Sequence, residues 1–328
     1  MSTVVLLRLS ALGDILLSEP VPRFLKECEP GCSVVYVTRE RFAAIPRGWP
    51  AVDRVLALPD RIRVQDLLAL RRELRALGRH RRLDLHNTLR SHLIWPCGAR
   101  RLPKHRAQKL LLVHGKILPA SWRGRPGPVW RRYLALAGLP QAPMGWRPRL
   151  VVQGEELRHG ERRHDLLVPG AGFATKAWPA TRWLEFLPCL LATGETPVLV
   201  LGGPREIELG ERLAAAAPAR VTNLCGRTSL TEAARLVAAA RRIVTGDTGL
   251  LHMADAAGVP GVALFGGTTR ELGFYPQGAG LRVLERELPC RPCSHVGRRA
   301  CPLGHLACLD GIGAGEVLEA LLAAEAAC

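Results

Sequence analysis

A chain of 328 residues is longer than a single hydrophobic core usually allows, so its length favours two domains of about 150 residues each. Hydrophobic residues make up 48% of the chain, which excludes a disordered or low-complexity protein, and no repeat indicates a solenoid or a propeller. The formal net charge of +17 favours an anionic partner: nucleic acid, an anionic membrane surface or a phosphorylated substrate.

The positive charge is concentrated in one part of the chain. Residues 85–154 contain no Asp or Glu, whereas thirteen Lys or Arg residues fall there. A general preference for arginine explains why Lys is rare, but it does not explain the missing acidic residues. This segment is therefore the expected binding surface for a polyanion.

The N-terminal apolar run, MSTVVLLRLSALGDILL, carries Arg8 and Asp14 and has no basic leader, which argues against a signal peptide. No stretch reaches the 18 or so apolar residues that a transmembrane helix needs. Most of the ten cysteines are scattered, as reduced thiols are in cytosolic proteins. These features predict a cytoplasmic protein.

The first half of the chain alternates apolar, β-branched runs with helical apolar spacing. The pattern predicts strands over 4–9, 33–38, 54–59 and 83–87, and helices over 15–27 and 64–77. Strands that alternate with helices favour a parallel sheet with right-handed crossovers.

The second half repeats this alternation after a stretch rich in Gly, Pro and Trp that begins at Ser121. The pattern predicts strands over 165–171, 197–203, 221–226, 241–247 and 261–267, and helices over 181–191, 206–217, 230–240 and 249–257. The predicted class is α/β, with two Rossmann-like domains whose parallel sheets face a central cleft. The domains are expected at 1–155 and 156–313, and the closing segment 314–328 is expected to form a helix that packs back across the boundary.

The turn after the first predicted strand, in LSALGDILLSEP, contains Gly13 and Asp14. Ligands of open parallel sheets bind beyond the carboxyl ends of the strands, so this carboxylate is a candidate catalytic group. Asp is also a common helix cap, and that alternative remains open. The turn has no GxGxxG pattern, so it is not a dinucleotide fingerprint.

Two turns in the second half have the composition of an anion site. In LLVPGAGFATKAWPATRW, small residues precede Lys176, a combination suited to binding a diphosphate. In VLVLGGPREIELGERL, Glu206 stands in the first turn of a predicted helix, within reach of a nucleotide ribose. The alternatives are a connecting loop with a solvated lysine, and an acid that stabilises the helix dipole.

The segment RRIVTGDTGLLHMADAAGVPGVALFGGT follows a buried strand and starts a short helix. Asp247, Thr248 and Gly249 place a hydroxyl and free backbone amides at the start of that helix, and His252 lies one turn later. Each residue alone fits a helix cap or a core histidine, but the combination indicates a ligand site.

Near the C-terminus, CRPCSHVGRRACPLGHLAC brings several potential metal ligands together in sequence: Cys290, Cys293, Cys301, Cys308, His295 and His305. A CxxC pair followed by two further cysteines is compatible with zinc, with reduced thiols or with a disulfide. The spacing is not that of a standard zinc finger, so a structural zinc is one possibility among three.

Four of these motifs, taken in order, resemble glycosyltransferase family 9, the ADP-heptose:lipopolysaccharide heptosyltransferases: LSALGDILLSEP, PGAGFATKAWP, VTGDTGLLHMADAAGVPGVALFGGT and the cysteine segment. The resemblance implies a GT-B fold and an inverting transfer of heptose from ADP-heptose to the lipopolysaccharide inner core, with no required cofactor. It implies Asp14 as the catalytic base, with Gly13 and Arg90, from LDLHNTLRS, on the acceptor side. The implied donor site consists of Gly170, Ala171, Lys176, Glu206, Asp247, Thr248, Gly249 and His252.

The implied partners are an ADP-sugar donor and an anionic lipopolysaccharide acceptor, with peripheral contact at the inner face of the inner membrane as one location. This acceptor is the polyanion that the basic segment calls for. A relative that uses another nucleotide sugar is one alternative. A nicotinamide oxidoreductase would need a glycine fingerprint followed by a ribose-binding acid, and neither is evident. A non-enzymatic binder of nucleic acid or anionic glycolipid would explain the charge but not the anion-binding turns of the second half.

Overall fold

The computed structural model describes residues 2–118, 127–139, 145–160 and 162–327. The chain forms two compact units, one made of Met1–His105 and Val129–Glu156 and the other of Arg106–Pro128 and Leu157–Cys328. The structure thus differs from a simple division near residue 155, because residues 106–128 belong to the second unit. The Gly- and Pro-rich stretch from Ser121 lies partly outside the described residues.

Each unit is built on one parallel sheet. The strand order is β3-β2-β1-β4-β5 in the first unit and β10-β9-β8-β11-β12-β13 in the second, both with the strand exchange of a Rossmann fold. The strands are β1 (Thr3–Leu7), β2 (Ser33–Arg39), β3 (Arg54–Leu58), β4 (His80–Asp84), β5 (Arg100–Arg101), β6 (Leu150–Val152), β7 (Glu155–Leu157), β8 (His164–Val168), β9 (Val198–Val200), β10 (Val221–Asn223), β11 (Ala240–Gly246), β12 (Gly261–Phe265) and β13 (Leu281–Glu285). Strands β6 and β7 pair separately.

Helices connect the strands. They are α1 (Leu12–Leu16), α2 (Pro20–Cys28), α3 (Glu40–Arg47), α4 (Val64–Ala76), α5 (Leu89–Ile94), α6 (Arg106–His114), α7 (Val129–Ala137), α8 (Ala180–Leu191), α9 (Ile207–Ala216), α10 (Leu230–Ala238), α11 (Gly249–Ala257), α12 (Ala307–Asp310) and α13 (Ala314–Ala326). No helix in the described ranges is long and apolar enough to cross a membrane.

Two elements of the first unit differ from the sequence-based prediction. The single helix predicted over 15–27 is wrong, because α1 ends at Leu16 and α2 begins at Pro20, whose ring suits the first helical position. The strand predicted over 83–87 is also shifted, since β4 ends at Asp84. Asn87 then takes a φ of 47°, which is left-handed and not strand-like.

Burial of the strands in the two hydrophobic cores explains why the sequence alternates so clearly between apolar runs and helical spacing. Strand β1 is buried from Val4 to Leu7, so it reads as a continuous apolar run, as expected for a strand covered on both faces. In the second unit Trp183 is fully buried and packs edge-on against Trp178, with ring centroids 5.1 Å apart. Helix α13 contributes Val317 and Leu321 to this same core and contacts α8 and β12. The closing helix therefore completes the hydrophobic core of the second unit.

A buried ion-pair network fixes α13 to the sheet. Arg242 on β11 is 1% exposed and donates two hydrogen bonds to Asp165 on β8, at 3.0 and 2.9 Å. Its third nitrogen donates to Glu325 on α13 at 3.1 Å. The two planar oxygens of Asp165 match the guanidinium fork, which is the geometry that compensates the loss of water around buried charges.

We expect Arg242→Met to lower the free energy of unfolding by about 3 to 5 kcal/mol, because Asp165 and Glu325 would lose their buried cation. Denaturant unfolding of the variant measures this. Arg41→Met is the matched control: Arg41 pairs with Asp60 on the surface, where both side chains are about half exposed, and should cost less than about 1 kcal/mol. Equal costs for the two variants would contradict the assigned role of the network.

Candidate active site

Both strand orders reverse direction beside the first strand of the sheet, between β1 and β4 in one unit and between β8 and β11 in the other. Open parallel sheets bind ligands outside the carboxyl ends of the strands at such switch points. The predicted site residues of each unit lie at these two places, and each unit is described by itself.

In the first unit, the carboxylate of Asp14 is held by two side chains. Arg8, just after β1, forms an ion pair with Oδ2 at 2.6 Å, and the hydroxyl of Tyr133 on α7 donates to Oδ1 at 2.9 Å. The backbone amide of Ala11 also donates to Oδ2, but at 3.4 Å. Asp14 thus makes only a weak capping contact, and its short contacts are with Arg8 and Tyr133.

The surroundings keep Arg8 and Tyr133 in fixed protonation states. Burial lowers the pKa of the Arg8 guanidinium, but the fields of Asp14, Tyr133 and Tyr36 together outweigh burial and raise this pKa. Burial also raises the pKa of the fully enclosed Tyr133 hydroxyl, so that it stays a donor. A carboxylate has about four lone-pair positions, so these contacts orient Asp14 and leave it able to accept a further proton donor.

His86 lies in the loop that follows β4. The buried carboxylate of Asp84 accepts hydrogen bonds from the amides of His86, at 3.0 Å, and Asn87, at 2.6 Å, which fixes the turn. Burial, followed by the field of Arg8, lowers the pKa of His86 to about 3. The imidazole is therefore neutral across the physiological range and does not act as a cationic group.

Arg90 stands in the first turn of α5, exposed to solvent, and Arg39 ends β2 on the other side of β1. Within the described ranges, neither guanidinium has a carboxylate within ion-pairing distance, whereas Arg41 is paired with Asp60. The pKa of Arg39 is lowered by burial and then by the charge of Arg90, so the two groups feel each other's field. Two cations without counter-ions at this edge would attract an anion.

In the second unit, Lys176 and Asp247 meet at the switch point. Lys176 closes a short 3₁₀ turn after β8, Asp247 follows β11, and the ammonium lies 2.7 Å from Oδ2. Thr268, after β12, donates to the same oxygen at 3.0 Å. The close approach requires glycine at 246, because a Cβ there would lie 2.5 Å from the carbonyl oxygen of Lys176. Three separate loops therefore converge on one carboxylate.

Helix α11 begins beside this pair. Thr248 caps it by accepting a hydrogen bond from the amide of Leu251 at 3.3 Å, and Gly249 is the first helical residue. His252 lies on the buried side and faces the ring of Phe274, with ring centroids 6.3 Å apart. The N-terminal amides of α11 and the lysine ammonium provide the positive potential that a phosphate group needs.

Gly170 and Ala171 follow β8 in the same unit, next to Glu206. A Cβ on Gly170 would lie 2.4 Å from the carboxyl carbon of Glu206, so a larger residue there would displace the Glu206 side chain. One oxygen of Glu206 accepts the amide hydrogen of Gly203 at 2.8 Å, and burial raises the pKa of the carboxyl group. Glu206 therefore caps its own turn, and its second oxygen remains for a ligand hydroxyl.

The cysteines line a cavity of about 200 Å³ in the second unit, together with His305: Cys290, Cys293, Cys301 and Cys308. Burial raises the pKa of Cys293, and that of Cys308 to about 11. At Cys301 burial is outweighed by hydrogen bonds from four backbone amides, which lower its pKa. Among the described residues no three His, Cys, Asp or Glu side chains are arranged to hold a metal ion.

Sequence reasoning missed several residues of these sites. Arg8 was visible as a charge within an apolar strand, and its position directly before the Gly13 and Asp14 turn was a usable signal. Thr268 closes the quoted segment that begins at Arg241 and indicates a ligand site, although its hydrogen bond to Asp247 was not predicted. Tyr133 and Arg39 had no such signal, and Tyr133 and Asp14 are 119 residues apart.

The depressed pKa of His86 predicts a pH effect on stability. In the unfolded chain this side chain takes up a proton as the pH falls below its ordinary pKa of 6.5, whereas in the folded chain burial lowers that pKa to about 3. The stability contributed by the neutral ring is therefore complete above pH 6.5 and is lost as the pH falls, by up to about 1.4 kcal/mol per pH unit. Urea unfolding measured between about pH 4 and about pH 7 should show a shallower pH dependence for His86→Gln than for the unmodified protein. The same slope in both proteins would contradict burial of a neutral ring.

Comparison with known proteins identifies the family to which the chain belongs. A model of glycosyltransferase family 9 (heptosyltransferase) matches residues 140–303, which is half of the chain. Lipopolysaccharide heptosyltransferase 1 of Pseudomonas aeruginosa is 27% identical over 311 residues, which cover 88% of this chain and 85% of the relative.

Two solved structures share the fold. The E. coli ADP-heptose lps heptosyltransferase II has a TM-score of 0.73 at 24% identity, covering 100% of this chain and 99% of its own. The E. coli heptosyltransferase WaaC with ADP has a TM-score of 0.67 at 22% identity, with 98% and 99% covered. These similarities confirm the predicted α/β class and GT-B fold with two Rossmann-like domains. Since the family model covers half of the chain, the protein belongs to glycosyltransferase family 9, the heptosyltransferases, and is a glycosyltransferase.

Proposed function

We propose that the protein transfers a heptose from ADP-heptose to the inner core of lipopolysaccharide, with inversion at the anomeric carbon. The observation that carries this proposal is the pair of charged switch points: a fixed carboxylate in the first unit, and a lysine beside a helix N-terminus in the second. The names of the relatives supply the donor and the acceptor class, because they are lipopolysaccharide heptosyltransferases and one solved neighbour is an ADP-heptose enzyme.

The second unit is the proposed donor domain. Lys176 and the amides at Thr248 and Gly249 would bind the diphosphate, with Gly170 and Ala171 allowing close approach of the chain. The free oxygen of Glu206 would accept a ribose hydroxyl, and Asp247 and His252 would line the pocket. Because the Lys176 ammonium is paired with Asp247, the diphosphate has to compete with this carboxylate for the ammonium.

The first unit is the proposed acceptor domain, with Asp14 as the general base. As the acceptor oxygen bonds to the anomeric carbon, its proton passes to the Asp14 carboxylate. The bond from the anomeric carbon to the donor phosphate breaks at the same time, and its electron pair leaves with ADP. Arg8 and Tyr133 hold the carboxylate, and Gly13 keeps the turn beside it small.

Arg90, with Arg39 on the neighbouring strand, is the proposed contact for a carboxylate or phosphate of the acceptor. The absence of acidic residues from 85 to 154 supports an anionic acceptor, and a peripheral position at the cytoplasmic face of the inner membrane fits a glycolipid substrate. The chemistry proposed here needs no cofactor. Zinc at the four cysteines stays a prediction, which elemental analysis of the purified protein tests directly.

We expect Lys176→Ala to weaken ADP binding by about 1.5 to 3 kcal/mol, the value of a charge-assisted hydrogen bond. Calorimetric titration with ADP measures the loss, and NAD should not bind to either protein. Lys26→Ala is the control, because Lys26 is bonded to Asp53 in the first unit and should leave ADP affinity unchanged. An unaltered dissociation constant for Lys176→Ala would remove this lysine from the donor site.

We expect Asp14→Asn to reduce kcat by roughly 100-fold or more while ADP affinity stays the same, because an amide cannot accept the proton. Turnover at saturating substrates measures the effect, and thermal unfolding verifies that the variant is folded. Asp60→Asn, which alters an exposed partner of Arg41, should keep full turnover. Near-normal turnover of Asp14→Asn would mean that Asp14 serves only to hold Arg8 and its turn.

A further inference from the structure

Helix α6 presents two leucines to solvent. Leu110 is 58% exposed and Leu111 is 47% exposed, while the next two residues, Leu112 and Val113, are buried. Leu112 packs with Leu272 in a small hydrophobic cluster of the second unit. One side of the helix is therefore packed against the second unit, while the other side presents two leucines to solvent. Exposed leucines are unusual on the outer face of a surface helix.

The apolar exposure continues beyond the helix. Ile117 follows α6 and is 58% exposed. Val113 and Lys116 line the same cavity as Leu303, which is itself 61% exposed. The ammonium of Lys116 donates to the carbonyl of Cys290 at 2.9 Å, which ties the end of α6 to the cysteine segment. These side chains thus come from two distant parts of the sequence and form one surface.

The two chain segments that form this surface contain no acidic residue. The basic segment from 85 to 154 contributes α6, and residues 288–309, the cysteine segment, likewise contain no Asp or Glu. Arg106 on the outer side of α6 and Arg298 beside the cavity are exposed. We call this set the α6 face: Arg106, Leu110, Leu111, Ile117, Arg298 and Leu303.

The exposed apolar side chains of α4 have charged neighbours of both signs. Val64 and Leu68 on α4 are 63% and 44% exposed, but Asp66 and Glu73 lie on the same helix. That surface has mixed charge, as ordinary solvated helices do.

Leu89 and Leu93 on α5 are also exposed and lie in the acid-free segment 85–154. The α6 face differs from α5 in that a second acid-free segment, residues 288–309, lies beside it.

We propose that the α6 face docks on an anionic phospholipid bilayer, with the leucines inserted at the interface and the arginines against lipid phosphates. Interfacial helices bind by this combination of apolar area and basic charge. Nucleic acid would use the charge but not the leucines, and a second copy of the chain would bring like charges together. The inference rests on the proposed function only in that a glycolipid acceptor explains why a membrane would be nearby.

Flotation of the full-length protein with vesicles of phosphatidylglycerol and phosphatidylcholine tests the proposal, with no donor or acceptor present. The double variant Leu110→Ser/Leu111→Ser should partition to these vesicles about tenfold or more weakly than the unmodified protein. The matched control, Val64→Ser/Leu68→Ser, should bind as the unmodified protein does. All three proteins should bind ADP equally, which verifies that the second unit is intact.

The charge is tested by a second variant, Arg106→Gln/Arg298→Lys, and by vesicles of phosphatidylcholine alone. Arg298 also donates a hydrogen bond to the carbonyl of Cys293, so it is replaced by lysine, which keeps the positive charge at this position. The loss of one positive charge comes from Arg106→Gln. Binding to anionic vesicles should weaken for this variant, and the unmodified protein should bind neutral vesicles more weakly. High salt should also weaken binding, since exposed charges are screened over about 10 Å at roughly 0.1 M ionic strength.

Three results would overturn the proposal: no binding of the unmodified protein to anionic vesicles, equal binding by the leucine double variant, or a dimer in solution that the same variant dissociates. Failure of heptose transfer with vesicle binding as expected would instead contradict the proposed function and leave the docking surface standing.

Discussion

A carboxylate paired with a cation stands at the switch point of each parallel sheet, and the rest of the site is arranged around these two pairs. Arg8 and Asp14 are 2.6 Å apart, and Lys176 and Asp247 are 2.7 Å apart. Partly buried charges are costly without a partner, so each pair keeps its loops in place before any substrate arrives. The pairs are nevertheless different in kind, because the first orients a carboxylate and the second restrains an ammonium.

This difference matches the two halves of a glycosyl transfer. A base must remain oriented but able to take a proton, and the hydroxyl of Tyr133 serves that end by holding one oxygen of Asp14. A diphosphate binds best to a cation that is already in position. Asp247 holds the Lys176 ammonium in place, but its carboxylate also competes with the diphosphate for that ammonium. The same logic extends to the surface, where segments without acidic residues leave Arg90 and the α6 face available to anions.

The sequence predicted the fold well because its strands are buried on both faces. Val4 to Leu7 form a continuous apolar run, and such runs separated by helical periodicity indicate a parallel sheet without knowledge of tertiary contacts. Boundaries were less predictable: Pro20 begins a new helix where the apolar spacing continues, and Asn87 leaves the strand pattern by taking a left-handed φ. Both depend on local backbone geometry more than on hydrophobicity.

The candidate site was predictable where its residues lie next to glycine turns. Asp247 follows β11 directly, and Asp14 and Lys176 lie in the turns that follow β1 and β8, so the chain itself places them at the edge of a sheet. Tyr133 was not predictable, because it reaches Asp14 from a helix that follows a segment belonging to the other unit. A contact between residues so far apart in sequence depends on where the chain re-enters the first unit, and no local sequence pattern encodes that.

The most direct test of the account is a transfer assay with purified protein, ADP-heptose and a lipopolysaccharide inner-core acceptor, in the presence of a metal chelator. The account predicts that one ADP is released for each heptose joined to the acceptor, and that NMR of the product shows the anomeric configuration inverted relative to the donor. Release of ADP without a new glycosidic bond, or a product with the donor's configuration retained, would contradict it.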